Sequence, residues 1–221
     1  MTGLLEELAS RYGTDKCSGR HDYTKYYDDI FSSRRLTVQK VLEIGVYNGA
    51  SLKMWKDYFP NAVIYGLDIN PDCRRCIEER IRIVISDQTD TACIPVLMED
   101  EQFFDFIIDD GSHRSKHQIA SFEMLFPYVK ERGSYIVEDV CCSYWSSYQE
   151  ADGDPATCIE YFKRKVDEIN FHGLRGDAVD RNKAYLRSIL RQQGQEPTFH
   201  QRAIRKIAFY NSTIEIERDE E

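Results

Sequence analysis

The feature that most constrains this chain is an alternation of short apolar runs with helical stretches. The runs are Lys40–Gly45 (KVLEIG), Ala62–Leu67 (AVIYGL), Ile81–Ile85 (IRIVI), Phe104–Ile108 (FDFII) and Ser134–Val137 (SYIV). Runs this short and this apolar read as strands buried on both faces. Between them lie stretches with helical spacing. Leu52, Trp55 and Phe59 share a face over Ala50–Tyr58, and Ile119, Phe122, Leu125 and Phe126 share one over Ser115–Tyr128. Leu4–Tyr12, Pro71–Arg80, Thr157–Phe171 and Asn182–Gln193 also read as helices, and Thr14–Tyr27 as loop with a short helix. Ala203–Tyr210 and Thr213–Glu217 flank Asn211-Ser212, the pattern of a final antiparallel hairpin. The expected fold is α/β: a doubly wound, mostly parallel seven-stranded sheet closed by that hairpin.

Composition narrows the functional classes. A chain of 221 residues suits a single domain, here with an N-terminal helical and loop segment (1–36) covering the site and a helical insert or lid at 149–202. No stretch approaches the roughly 18 consecutive apolar residues of a membrane span. The start, MTGLLEELAS, lacks the basic and apolar pattern of a signal peptide, so a cytoplasmic location is the default. Net charge is −9, which argues against sequence-independent nucleic-acid binding. A local excess of 11 Lys and Arg over 6 Asp and Glu between Glu160 and Lys206 reads first as a solvated helical face. The seven cysteines are expected to be reduced: Cys73-Arg-Arg-Cys76 has no second ligand pair for zinc.

In open parallel sheets ligands bind at the carboxyl ends of the strands. Here those ends carry glycine and polar clusters. The first is Glu43-Ile-Gly45-Val-Tyr-Asn48-Gly49-Ala-Ser51, where glycine lets the backbone approach a ligand closely. The second ends in Asp68-Ile69, an acid suited to accept from vicinal ribose hydroxyls. The third is Ser86-Asp87-Gln88, whose side chains can meet an adenine edge. The fourth and fifth present Asp109-Asp110-Gly-Ser-His113 and Glu138-Asp139. Four neighbouring carboxylates repel unless a cation lies among them, and oxygen donors point to magnesium, calcium or manganese. His113 is near enough to act as a general base. The plainer alternative is that Asp109 and Asp110 cap the following helix.

These segments resemble the class I S-adenosylmethionine-dependent methyltransferases, whose fold is Rossmann-like with an antiparallel seventh strand. The resemblance implies that Glu43, Gly45, Asn48, Gly49, Ser51, Asp68, Ile69, Ser86, Asp87, Gln88 and Asp109 line the cofactor. The strings IDDGSHRSKHQIASFEMLFPYV, GSYIVEDVCCSYW and RYGTDKCSGRHDYTKYY (Arg11–Tyr27) are similar to the metal-dependent macrolide sugar O-methyltransferases of the mycinamicin type and their cephalosporin-hydroxylase-like relatives. The similarity runs from Leu8 to Trp145 and thinly through the closing hairpin. It implies metal ligands at Asp110, Glu138 and Asp139, with magnesium or manganese as the ion, and a base at His113.

The expected activity is methylation of a hydroxyl on a sugar or glycoside acceptor, such as a rhamnose-like deoxyhexose. The alternatives are a catechol-type O-methyltransferase, which needs the same metal logic, and a non-catalytic cofactor-binding domain of a larger protein. A homo-oligomer is compatible with the sequence. His21, Tyr23, Tyr144 and Trp145 are candidate substrate contacts, and equally ordinary packing aromatics.

Overall fold

A computed structural model of the chain describes residues 3–148, 156–170, 192, 194 and 196–220. Seven strands form one sheet: β1 (Lys40–Ile44), β2 (Val63–Asp68), β3 (Ile81–Ile85), β4 (Phe104–Asp109), β5 (Val129–Val137), β6 (Ile204–Tyr210) and β7 (Thr213–Arg218). Their order is β3-β2-β1-β4-β5-β7-β6. The first five are parallel neighbours, and β7 runs antiparallel to both β5 and β6. The expected doubly wound sheet and closing hairpin are therefore present. Pairing reverses direction of strand order at β1, with β2 on one side and β4 on the other. The helices that follow β1 and β4 pack on opposite faces of the sheet, which opens a crevice at the carboxyl ends there.

Two apolar layers cover the sheet. On one face α1 (Leu4–Tyr12), α2 (Thr24–Phe31) and α3 (Ala50–Tyr58) bury Phe31, Trp55 and Phe59 against Phe106 of β4. Phe31 stacks or edges onto Tyr27, Trp55, Phe59 and Phe106 with centroid distances of 4.3–5.7 Å. Such pairs add about 0.5–1.5 kcal/mol each beyond area burial. On the other face α4 (Ile94–Leu97), α5 (Ser115–Leu125), α6 (Cys158–Ile169) and α7 (Phe199–Ala203) pack with Phe122 at the centre. Phe122 meets Phe126, Tyr135 and Phe162 at 4.9–5.4 Å.

Three elements depart from the sequence pattern. Pro71–Arg80, expected to be helical, is a 3-10 stretch over Pro71–Cys76 followed by a turn. The Asn70 side chain accepts from Asp72 N and starts the stretch, and β3 follows too soon for a full α-helix. The helix from Ser115 ends as α-helix at Leu125, because Pro127 supplies no N–H and the chain tightens into a 3-10 turn. β5 begins at Val129 rather than Ser134, with an irregular register opposite Phe104 and Phe106. The expected helix at Asn182–Gln193, and most of the expected lid at 149–202, lie outside the described residues. Within that stretch, α6 contributes Cys158 and Phe162 to the core. None of the seven cysteines is in a disulfide. Among the described residues no helix is long and apolar enough to cross a membrane.

Candidate active site at the carboxyl ends of the strands

The site is built on a close approach of two loops. Gly45 follows β1 with φ +91°, and a Cβ there would lie 2.0 Å from the carbonyl oxygen of Asp110. The loop after β1 thus rests directly on the loop after β4, which only glycine permits. The loop is anchored by Asp68, whose Oδ2 accepts from Val46 N (2.8 Å) and Tyr47 N (3.2 Å) and whose Oδ1 accepts from Asn70 N (2.8 Å). Burial pushes the Asp68 carboxyl up, but these amides outweigh it and hold the group below the usual carboxylate range.

Two cavities meet at Gly45, Asp68 and Gly111. The smaller, about 240 Å³, has apolar walls from Ile44, Leu67 and Ile69 and polar ones from Ser86, Asp87 and the Ser112–His117 pair. Its shape and lining suit a nucleoside. The larger, about 590 Å³, is bordered by Tyr47, Asn48 and Ser51 on one side and by Asp110, His113 and Asp139 on the other. Thr14, Asp15 and Arg20 of the N-terminal segment close it.

Two expected cofactor residues, Glu43 and Asp109, stand behind this surface, whereas Gln88 lines it while bonded internally. Gln88 is committed internally: its Nε2 donates to Ser121 Oγ (2.9 Å) and Asp109 (3.2 Å), and its Oε1 accepts from Ser112 N (2.8 Å). Both amide hydrogens are used, so Gln88 supports the loop and has no donor left for an adenine edge. Asp109 is fully buried and accepts from Tyr135 OH at 3.0 Å. Burial raises its carboxyl to about 7. It underpins the loop and does not reach the cavity. Glu43 is also fully buried, with Oε2 accepting from Ser51 Oγ at 2.6 Å. The alternative that Asp109 and Asp110 cap α5 fails, since the cap position is Arg114 and no side chain caps that helix.

The acids separate into two groups. Asp110, His113 and Asp139 each turn one ligand atom inward, and these atoms lie within 4.8 Å of one another. His113 Nε2 is 3.6 Å from Asp139 Oδ2, while its Nδ1 is buried without a partner among the described residues. His113 (φ +56°) and Asp139 (φ +52°) are both left-handed. That conformation costs about 1–3 kcal/mol at a non-glycine residue and recurs where function requires it. Glu138 is different. Its carboxylate is buried beneath the cluster, bonded to Lys16 Nζ at 2.6 Å and accepting from Tyr27 OH. Burial, and the like charge of Asp110, push its carboxyl well above the ordinary value despite Lys16. Burial disfavours the Lys16 ammonium, yet Asp110, Glu138 and Glu43 hold its pKa well above the usual lysine value.

The donor set fits a hard divalent cation: the cavity-facing carboxylates of Asp110 and Asp139 offer oxygen ligands, with the His113 imidazole beside them.

The substrate candidates fall on two sides. Tyr23 is buried and its OH donates to Asp139, so it steadies an acid rather than facing an acceptor. His21 Nδ1 lies 3.8 Å from the same carboxylate. Tyr144 and Trp145 are about half exposed, and Tyr148 bridges Trp145 (6.1 Å between centroids) to His113 (6.4 Å). Sequence reasoning missed Lys16, Tyr27 and Tyr148. Tyr148 could have been found as the next aromatic after Trp145. Lys16 carries no local signal, since its partners lie 94 and 122 residues away.

No protein-family model matches the chain. Curated relatives do. The chain is 39% identical over 185 residues to a demethylmacrocin O-methyltransferase of Streptomyces fradiae, covering 79% of this chain and 46% of that protein. It is 41% identical over 174 residues to an 8-demethyl-8-alpha-L-rhamnosyl tetracenomycin-C 2'-O-methyltransferase of Streptomyces olivaceus, covering 75% and 46%. Among solved structures, the MycE methyltransferase of the mycinamycin biosynthetic pathway, in complex with Mg and SAH, superposes with a TM-score of 0.84 at 32% identity. That match covers 99% of this chain and 55% of the other. The chain spans about half the length of the relatives it matches. By its sheet, its crevice and these similarities, the chain belongs to the class I S-adenosylmethionine-dependent methyltransferases and, within them, resembles the mycinamicin-type macrolide sugar O-methyltransferases.

Proposed function

We propose that the protein is an S-adenosylmethionine- and divalent-metal-dependent O-methyltransferase that acts on a hydroxyl of a sugar within a glycoside, a rhamnose-like deoxyhexose being the favoured acceptor. The observation that carries this is a juxtaposition. The Asp110–His113–Asp139 cluster borders the same cavity as the Gly45–Ser51 loop, so a bound cofactor and an activated hydroxyl can face each other. The names of relatives support the acceptor class: one methylates a rhamnosyl tetracenomycin, and MycE was also solved with mycinamycin VI.

When bound, S-adenosylmethionine supplies an electrophilic methyl group, and a divalent cation lowers the pKa of a coordinated hydroxyl. The chain's own residues do the rest. Asp68 would accept from the ribose hydroxyls, Asp87 would meet the adenine amine, and Ile69 and Ser86 would wall the base. Asp110 and Asp139 would hold the cation. Glu138 joins them only by exchanging its bond to Lys16 or Tyr27. His113 Nε2 accepts the hydroxyl proton, and the adjacent Asp139 carboxylate stabilises the imidazolium that forms. Tyr144, Trp145 and Tyr148 offer apolar faces for a sugar ring. Thr14, Asp15 and Arg20 of the N-terminal segment border the cavity and would cover the bound groups.

Calorimetric titration with S-adenosylhomocysteine in the presence of magnesium tests the first half. Micromolar binding is expected, and absence of binding to folded protein would remove the foundation. A glycoside screen with and without EDTA tests the second half. Turnover that survives EDTA would refute the metal requirement, and preference for simple catechols would refute the sugar assignment.

A further inference from the structure

The proposed reaction gives no role to Lys16, a buried cation beside the acidic cluster. Lys16, in the loop after α1, has a side chain only 1% exposed, and its ammonium contacts three carboxylates. Glu43 comes from β1 at 3.3 Å, Asp110 from the loop after β4 at 2.6 Å, and Glu138 from the end of β5 at 2.6 Å. The second oxygens of these acids point to different tasks. Glu43 Oε2 accepts from Ser51, on the cofactor-side loop. Glu138 Oε1 accepts from Tyr27. Asp110 Oδ1 has no protein partner among the described residues, and Asp110 is the acid of the three that also belongs to the cavity-facing cluster.

We propose that Lys16 is a positioning residue for the metal ligands: by binding Asp110 Oδ2 and Glu138 Oε2 it fixes the face that Asp110 turns to a divalent cation, and it ties that face to Glu43 beside the cofactor loop. The proposal rests on the metal-dependent reading above. It makes a counterintuitive prediction. On charge alone, deleting Lys16 leaves the cluster more negative and should tighten cation binding. Positioning predicts the reverse. Asp110 loses the bond that orients it, and buried Glu43 and Glu138 are left facing one another with no cation, an arrangement that must rearrange.

The test uses Mn²⁺ alone as the probe, titrated by calorimetry and by electron paramagnetic resonance without cofactor or acceptor. Thermal melts accompany each titration. K16M is expected to bind Mn²⁺ roughly 10–100-fold more weakly than wild type, the usual cost of losing a group that orients a ligand. K16M/E43Q removes one buried negative charge together with the cation, and so supplies a folded sample if K16M is unstable. It is expected to recover melting temperature but not Mn²⁺ affinity, which a purely structural role would not produce. K16M binding Mn²⁺ as well as or better than wild type would overturn the proposal. So would recovery of both properties in K16M/E43Q, which would make Lys16 only a charge balancer. Wild-type protein that takes up no Mn²⁺ would instead overturn the metal-dependent reading, and the proposal with it.

Discussion

Replacing Gly45 by alanine tests whether the contact between the loops after β1 and β4 is what assembles the site. Two costs are readable from the backbone. The first is conformational: φ is +91° at Gly45, and a left-handed L-residue costs about 1–2 kcal/mol. The second is steric. The new Cβ would sit 2.0 Å from the Asp110 carbonyl oxygen and 2.7 Å from its carbon, so backbone must move, and overpacking of this kind costs about 1–3 kcal/mol. Together these predict a loss of about 2–5 kcal/mol. For a domain of this size, at about 2–4 °C per kcal/mol, that is roughly 4–20 °C in melting temperature. Gly13 is the control: φ is +72°, but nothing lies within 4 Å of its Cβ position, so G13A bears the first cost alone. Differential scanning calorimetry of both variants gives the comparison. Because the displaced backbone belongs to Asp110, G45A should also weaken Mn²⁺ and S-adenosylhomocysteine binding together. Equal melting temperatures for G45A and G13A would refute the reasoning, since the steric contribution would then be nil.

H113A should lower turnover by roughly 10²–10⁴-fold, the usual worth of a positioned base, while S-adenosylhomocysteine affinity stays unchanged; unchanged turnover would exclude His113 as the base. D68A should weaken S-adenosylhomocysteine binding and lower stability, since it removes the acceptor for three backbone amides, and calorimetry with a melt reads both. Y23F should leave the fold intact and weaken Mn²⁺ binding modestly, because Asp139 loses one hydrogen bond. Away from the site, His200 packs among Glu123 of α5 and Lys165 and Glu168 of α6. Burial, aided by Lys165, lowers its pKa, so the unfolded chain takes up the proton first as pH falls. His200 should therefore contribute a loss of stability as pH drops through about 6.5, where an unfolded histidine titrates; the difference between wild type and H200Q in denaturant titrations isolates it, because buried Asp109, with its raised carboxyl, acts in the opposite direction.

Much of the architecture is visible in local sequence. β3 runs over Ile81–Ile85, as its apolar run predicts, and α1 and α3 match their amphipathic stretches. The hairpin strands are displaced by one residue at Ile204 and Arg218. Where local reading failed, a neighbour overrode it. Pro71–Cys76 has helical composition, but the Asn70 cap and the nearness of β3 leave room only for 3-10 turns. Gln88 is a cavity-lining amide at a strand end, as its position predicts, yet Ser121 and Asp109 take both of its amide hydrogens and Ser112 N binds its carbonyl oxygen.

The acids show the division most sharply. That Asp68, Asp87, Asp109, Asp110, Glu138 and Asp139 gather at one edge of the sheet follows from sequence alone, because each lies at or just beyond the end of a recognisable strand. Side-chain period and strand length are local properties, and they fix which end of the sheet a residue reaches. Which of those acids faces ligand, and which is spent inside the protein, was decided by the tertiary structure. Asp109 goes to Tyr135 and Gln88, and Glu138 goes to Lys16 and Tyr27, leaving Asp110, Asp139 and His113 to the cavity. A carboxylate's task depends on which partners reach its lone pairs, and for Glu138 they arrive from a loop and a helix more than a hundred residues earlier in the chain.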